Sequence, residues 1–479
     1  MSLKKFVNSQ SYNLKHFYFS VIWSDIKESI AGSERDFTET PLRKSIFLLA
    51  VPMVLEMLME SVFAVVDIFF VSKLGADAVA TVGLTESAMT IVYAIGIGLS
   101  MATTALVSRR IGEKKNKEAG LVAFQAIAIG LFISLLLAIP GFFFAKKFLD
   151  LMGASSQMIE NGHWYPAIMF GGNMVIMLLF IINAVLRSSG DAALSMRVMW
   201  IANIINLILD PLLIFGIGPF PELGLMGAAI ATTTGRGIAV IYQLFILFRG
   251  KHRIKLYLES IRIKFGIMIK LLKISGGGIL QNLIATSSWI FLVRIISVSG
   301  PDALAGYTIA IRIIIFALLP AWGLSNAAST LVGQNLGANR PDRAEQSVWA
   351  TAYANMIFMG MLSLILIAFP DFWIRIFISD PQVVDYGIQC LRIISYGFIV
   401  YGLGMVLIQG FNGSGDTITP TWINFFAFWV LEIPLAYVIA IVFNMGLVGA
   451  CTAILIAESF LTLLSLYLFK KGKWKTRKV

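Results

Sequence analysis

The chain has 479 residues, of which 58% are hydrophobic and only 14% charged, with a formal net charge of +11. Soluble domains carry about 45–50% apolar and about 25% charged residues. Too few polar side chains exist here to cover a water-facing surface, so lipid must be part of the solvent, which excludes an ordinary soluble enzyme or binding module.

Residues 1–44 mix Lys4, Lys5, Asp25, Glu34 and Asp36 with isolated aromatics. No apolar run there ends in a small-residue cleavage site, so the expectation is an uncleaved cytoplasmic segment, with targeting by the first span. Apolar runs of spanning length then follow near 45–72, 77–108, 120–144, 164–186, 192–215 and 225–248. A basic stretch, 249–273, reads as a cytoplasmic linker. Six further runs lie near 271–298, 303–332, 347–370, 386–411, 420–443 and 447–469, and a basic tail occupies 471–479. The predicted fold is an all-α membrane protein of twelve transmembrane helices in two six-helix bundles, 45–248 and 274–470.

Twelve spans put both termini on one side, and the charges choose it. With the N-terminus inside, 30 of the 38 Lys and Arg residues fall in cytoplasmic segments and only Lys73, Lys146, Lys147 and Arg375 fall outside. That asymmetry is the positive-inside signature of a plasma (inner) membrane protein with both termini cytoplasmic. The net positive charge therefore reflects orientation, not a nucleic-acid partner. Cys390 and Cys451 sit in apolar stretches without metal-like spacing, and no disulfide framework is expected. His16, His163 and His252 are scattered at helix ends or in polar segments. The helix cores hold no histidine, and the chain has no HExxH or GxSxG pattern, so an intramembrane enzyme is not expected.

The chain repeats itself at an offset of 225 residues. Gly98-Leu99-Ser100 returns as Gly323-Leu324-Ser325, Leu106-Val107 and Gly112 as Leu331-Val332 and Gly337, and Ser189-Gly190-Asp191 as Ser414-Gly415-Asp416. Gly75-Ala76-Asp77-Ala78 matches Gly300-Pro301-Asp302-Ala303, and Gly227-Ala228 returns three residues short of the offset as Gly449-Ala450. Each half holds six helices in the same orientation. Such parallel repeats are related by an axis along the membrane normal, with substrate sites at their interface.

An ionisable group at membrane depth costs about 2.5–3.5 kcal/mol on insertion scales, so each one is a functional candidate. Glu56, Glu60 and Asp67 lie on one face of span one. Pro52 interrupts the hydrogen-bond ladder of that span and offers a bend point. Asp67 and Asp210 each stand six residues before the outer end of their helices, with Asn206 one turn below Asp210 and Thr232 near the same level on span six. These oxygens suit a hard monovalent cation such as Na⁺, and two close carboxylates equally suit a proton. The alternative is a hydrogen-bonded network that only locks helices together. Glu86, Glu432 and Glu458 either line a cavity for cationic substrates or pair with Arg236, Arg294, Arg312 and Arg392.

Taken together, the 6+6 duplication, Pro52 with Val66-Asp67-x-x-Phe70-Val71 and Leu74-Gly75, Gly96-Ile97-Gly98-Leu99-Ser100, Val332-Gly333-Gln334-Asn335-Leu336-Gly337-Ala338 and Arg187-x-x-Gly190-Asp191 with its echo Asn412-Gly413-Ser414-Gly415-Asp416 resemble the MATE (multidrug and toxic compound extrusion) family, of the MOP flippase superfamily, over residues 40 to 470. The resemblance implies a V-shaped pair of bundles with alternating access. It implies export of small-molecule drugs, often organic cations, against entry of Na⁺ or H⁺, by a monomer in the lipid bilayer without a cofactor. It assigns the cation site to Asp67, Asn206, Asp210 and Thr232, and a hinge to Pro52. Some relatives use acids in spans seven and ten. Here span seven offers Gln281 at the duplicate of Glu56 and span ten offers no acid, so coupling is expected in the first bundle. Glu56, Glu60, Glu86 and Gln281 are then candidate substrate contacts. A lipid-linked precursor flippase of the same superfamily is the alternative, and it would need a cationic cavity.

Overall fold

The computed structural model describes residues 23–32, 35–249, 253–256 and 262–477. The expected segments 1–44, 249–273 and 471–479 therefore lie partly outside the described residues, as do His16 and His252. The described chain is helical. Numbered over the spanning helices, the elements are α1 (Leu42–Ser72), α2 (Ala76–Gly112), α3 (Asn116–Phe143), α5 (Ala192–Phe215), α6 (Gly224–Arg249), α7 (Phe265–Ser297), α8 (Pro301–Gly337), α9 (Pro341–Ala368), α11 (Ile418–Val442) and α12 (Gly446–Lys470). The two remaining spans are each broken: α4 joins Trp164–Gly171 to Asn173–Ser189 at 40°, and α10 joins Pro381–Ser395 to Phe398–Ser414 at 55°. Twelve spans result, at the expected places. α7 starts earlier than its apolar run, because the helix continues past Lys273 and Lys270 onto the basic face.

The duplication is visible in the backbone. Left-handed conformations recur at paired positions: Gly75 (φ 100°) with Gly300 (103°), Lys114 (60°) with Asn339 (57°), Gly190 (99°) with Gly415 (87°), and Gly224 (54°) with Gly446 (53°). After the Gly190 and Gly415 caps, the next helix begins in the same way twice. The Asp191 carboxylate accepts from Leu194 N–H at 3.3 Å, and Asp416 accepts from Thr419 N–H at 3.3 Å.

The bundles meet along α1 and α2 of the first and α7 and α8 of the second, through small residues that let backbones approach. The contacts come in twins related by the duplication. A Cβ on Gly112 would lie 1.9 Å from the Gln334 carbonyl oxygen, and one on Gly337 would lie 2.2 Å from that of Arg109. Gly323 abuts the Met53 carbonyl (2.6 Å to a built Cβ), while Gly98 abuts the Ser275 carbonyl and the backbone nitrogen of Ile279 (2.8 Å each). Phe37, Leu49 and Met53 share a core with Ala327 and Leu331 across the joint. Inter-bundle hydrogen bonds gather at the end carrying the basic loops. There, Gln334 Nε2 donates to Ser188 O (2.9 Å), Arg340 to Thr38 O (2.7 Å), Arg109 to Arg477 O (2.9 Å), and Arg343 to Phe37 O (3.3 Å) and Thr40 O. This end of the molecule is closed.

Away from the joint, α3 presents Phe132, Leu135, Leu136 and Phe143 outward. Exposed apolar rows of this kind face lipid in a spanning bundle. Cys390 and Cys451 are free and fully buried.

Candidate functional site

Two glycines bring α5 and α6 together. A Cβ on Gly227 would lie 2.5 Å from the Leu213 carbonyl oxygen, and one on Gly235 would lie 2.7 Å from that of Ala202 and 3.3 Å from Asn206 N. Only residues without a side chain permit this approach, and it sets Thr232 of α6 against Asn206 and Asp210 of α5. All three are buried: Asp210 is 0% exposed, Asn206 2% and Thr232 7%. With its nitrogen toward Asp210 Oδ2 (3.0 Å), the Asn206 amide oxygen accepts from the Thr232 N–H (3.0 Å) and hydroxyl (3.1 Å). The amide thus links carboxyl and hydroxyl in one polar cluster.

Asp67 of α1 lies within electrostatic reach of Asp210, Glu86 and Arg236, and makes no hydrogen bond or ion pair with any described residue. The structure therefore brings Asp67 and Asp210 to one region of the first bundle, Asp210 fully buried and Asp67 half-buried. The Asn206 amide lies between the Asp210 carboxyl and the Thr232 hydroxyl, a set of groups that fits a proton or, with the amide turned, a small hard cation.

Below this cluster, α1 carries two ion pairs that the sequence did not reveal. Glu60 accepts from Arg236 at 3.3 Å and Asn203 at 3.2 Å. Arg236 also stacks over Phe63, 5.4 Å from the ring centroid. Glu56 is 1% exposed and accepts from Arg187 (3.1 Å) and Ser195 (3.1 Å). On α2, Glu86 accepts from Tyr93 at 3.0 Å. Of the arginines expected to pair with Glu86, Glu432 or Glu458, Arg236 takes Glu60 instead, and among the described residues none of those three acids forms an ion pair.

Gln281, at the duplicate of Glu56, is 3% exposed and donates to Asn412 Oδ1 (3.2 Å) and Thr417 O (2.9 Å). Glu56 and Gln281 thus sit in packed helix joints, away from any open wall. Pro52 is buried inside α1, which runs continuously through it. The missed partners are Arg187, Ser195 and Asn203. Their signal was present in part: Arg187 stands 225 residues before Asn412, as Glu56 does before Gln281, so the pairing of one duplicate predicts that of the other.

Five carboxyls (Glu56, Glu60, Asp67, Glu86 and Asp210) thus face two guanidiniums, Arg187 and Arg236, inside one bundle. The surplus acids must be neutralised by protons or bound cations, because an uncompensated buried charge is costly. The interior of the first bundle thus holds more acidic groups than basic ones.

The MatE family model matches the chain twice, over residues 52–212 and 278–438, one match in each bundle. The chain is 25% identical over 438 residues to "Probable multidrug resistance protein NorM" of Thermotoga maritima, covering 91% of this chain and 94% of that protein. It is 28% identical over 399 residues to the "FAD transporter" of Shewanella oneidensis, covering 83% and 88% respectively. Its fold superposes with a TM-score of 0.86 and 22% identity on a multidrug resistance MATE family transporter of the MOP superfamily, solved in an outward-facing conformation, with 92% of this chain and 98% of that one covered. Matched in both halves, in the order of its own duplication, the chain is a multi-pass membrane protein that belongs to the MATE family of transporters.

Proposed function

We propose that the chain is a secondary multidrug exporter of the inner membrane. It expels amphipathic organic compounds, often cationic, in exchange for H⁺ or Na⁺ taken up in the first bundle. The observation that carries this reading is the surplus of buried carboxyls there, with Asp67 unpaired among the described residues beside the Asp210–Asn206–Thr232 cluster. With the basic face in the cytoplasm, as the charge asymmetry favours, the closed end is the cytoplasmic one and the conformation faces outward.

In this state Asp67 and Asp210 repel one another unless a cation lies between them. A proton or Na⁺ entering from outside neutralises the pair and removes the cost of bringing α1 toward α5. Pro52, which leaves the Leu48 carbonyl without its helical N–H partner, is where α1 bends. An organic cation held by the same negative field is released when the carboxyls are neutralised. Ion and drug thus compete for one charge. Turning inward then requires the Arg340 and Arg343 bonds to residues 37–40 to break.

The test is transport by the full chain in proteoliposomes, reading ethidium efflux under an imposed pH gradient and, separately, under a Na⁺ gradient at fixed pH. Asp67→Asn and Asp210→Asn should each lose efflux while inserting and folding like the wild type. Wild-type rates in both would end the assignment. A second reading, export of a phosphate-bearing anion, is favoured by the likeness to the Shewanella oneidensis FAD transporter. Against it, Arg187 and Arg236 are already engaged by Glu56 and Glu60. A flippase for lipid-linked precursors meets the same objection, and the same liposomes loaded with FAD separate the anionic reading from the cationic one.

A further inference from the structure

The second bundle has Gln281, Ala285, Leu292 and Ile311 where the first has Glu56, Glu60, Asp67 and Glu86, yet it buries two acids of its own. Glu432 of α11 is 7% exposed, and Glu458 of α12 is partly buried on the core-facing side of its helix. α11 and α12 pack against each other, and the two carboxyls lie within electrostatic reach. Neither forms a hydrogen bond or ion pair with any described residue. Glu432 ends a π-helical stretch, Phe425–Glu432, just before Pro434. Irregular turns of this type recur at functional positions in helices.

A third buried polar group lies near them. Tyr401 of α10 is 6% exposed, and its hydroxyl has no hydrogen-bond partner, although it lies within electrostatic reach of both Glu458 and Glu432. The ring is held in place from behind, where Gly397 at the break in α10 leaves room for it: a Cβ there would lie 2.6 Å from the hydroxyl. A buried hydroxyl without a partner costs about 1–3 kcal/mol, a cost removed if something occupies the space it faces.

The other titratable groups here supply no counter-charge. Tyr307 of α8, Cys390 of α10 and Cys451 of α12 surround the pair and are neutral or acidic. Arg294, Arg312 and Arg392 are exposed, and none pairs with either acid. The duplication explains the deficit. In the register that carries Gly227 onto Gly449, Glu458 stands where the first bundle has Arg236, so the second bundle has an acid where its twin has the neutralising cation.

From this geometry we infer that Glu432, Glu458 and Tyr401 form a second monovalent-cation site, at which the two carboxyls share a proton or hold Na⁺ independently of the first bundle. Two ionised carboxylates so placed, without a cation, would each carry the full penalty of a buried charge. One shared cation leaves a single delocalised charge, and the tyrosine hydroxyl can donate to it.

The experiment is infrared difference spectroscopy of the full chain in lipid nanodiscs, reading the carbonyl band of protonated carboxyls after a pH jump and after Na⁺ addition at constant pH. It is done in an Asp67→Asn/Glu86→Gln/Asp210→Asn background, so the first-bundle acids without an arginine partner are silent and a failure of the exporter reading, seen as wild-type transport in that background, stays a separate result. A residual band that falls to background in both Glu432→Gln and Glu458→Gln supports the site. Response to pH alone assigns the proton, and loss of the band on Na⁺ addition assigns Na⁺. Tyr401→Phe keeps the packing and should move the midpoint of that band by about tenfold or more in cation concentration, which gives a readout if a glutamine variant unfolds. No residual band in the background, or an unchanged band and midpoint in Tyr401→Phe and either folded glutamine variant, overturns the inference.

Discussion

Glu56–Arg187 in the first bundle and Gln281–Asn412 in the second occupy duplicated positions and join the same helices, α1 to α4 and α7 to α10. One joint is an ion pair, the other a pair of amides with a 3.2 Å hydrogen bond. Both joints are bridged at nearly the same distance, so the helices can be joined there with or without charge. The contrast sharpens one level away. In the register that aligns Glu56 with Gln281, Asp67 has Leu292 as its duplicate and Glu60 has Ala285. The same scaffold positions are filled by apolar side chains in one half and by acids in the other. The fold tolerates apolar residues there, which leaves function as the reason for the acids.

That comparison can be broken most severely by making the first bundle resemble the second. Asp67→Leu should abolish cation-driven efflux, a loss of about 100-fold or more, while raising thermal stability, since a buried acid costs about 2.5–3.5 kcal/mol to insert. A variant that transports well, or one that is less stable, would mean the acid serves structure. Next in size is the joint. Arg187→Asn alone strands Glu56 and should cost about 3–5 kcal/mol in a reversible unfolding assay. The double change Glu56→Gln/Arg187→Asn copies the second bundle and should recover most of it. Additivity of the two single effects would refute the equivalence of the joints.

Gly235→Ala places a methyl 2.7 Å from the Ala202 carbonyl, in the approach of α6 to α5. A loss of about 1–3 kcal/mol is expected, as for overpacking, with a matching fall in apparent cation affinity of roughly tenfold or more. An alanine variant with unchanged affinity would detach the site from the α5–α6 approach.

The smallest effect lies at the basic end. Asp36 is partly desolvated, which alone would raise its pKa, but hydrogen bonds from Thr38 and the nearby Lys114 and Arg253 outweigh burial and hold it below the usual carboxylate range. A group lowered in this way stabilises the fold above the ordinary carboxylate range, and the contribution fades as pH falls through its lowered folded value. Asp36→Asn should therefore cost at most ~1 kcal/mol at neutral pH, because its contact with Lys114 is exposed and screened. The difference from wild type should vanish in acid. A gap that persists in acid would point to packing instead.

Much of this was legible beforehand, for definite reasons. Hydropathy reports depth, so the spans could be read directly. The duplicated turns after Gly190 and Gly415 could be read because an offset needs no geometry. Rotation of one helix about its axis relative to another is not encoded in depth. For that reason Arg187, counted as a cytoplasmic charge, was not recognised as the partner of Glu56, and Arg236 was not assigned to Glu60. The breaks in α4 and α10 escaped too, since apolar runs continue through Gly172 and Gly397 without a hydropathy dip.

The seam between the bundles carries a mechanical consequence. Gly112, Gly333 and Gly337 present no side chains to interlock, and Gly333 lies directly against Ser108 near the pseudo-axis. Surfaces without knobs separate by tilting, with no rotamer having to jump. Their grip depends on flat contact, so it vanishes over a short displacement. Such a joint behaves as a latch with a narrow catch, firm when shut and nearly weightless once released.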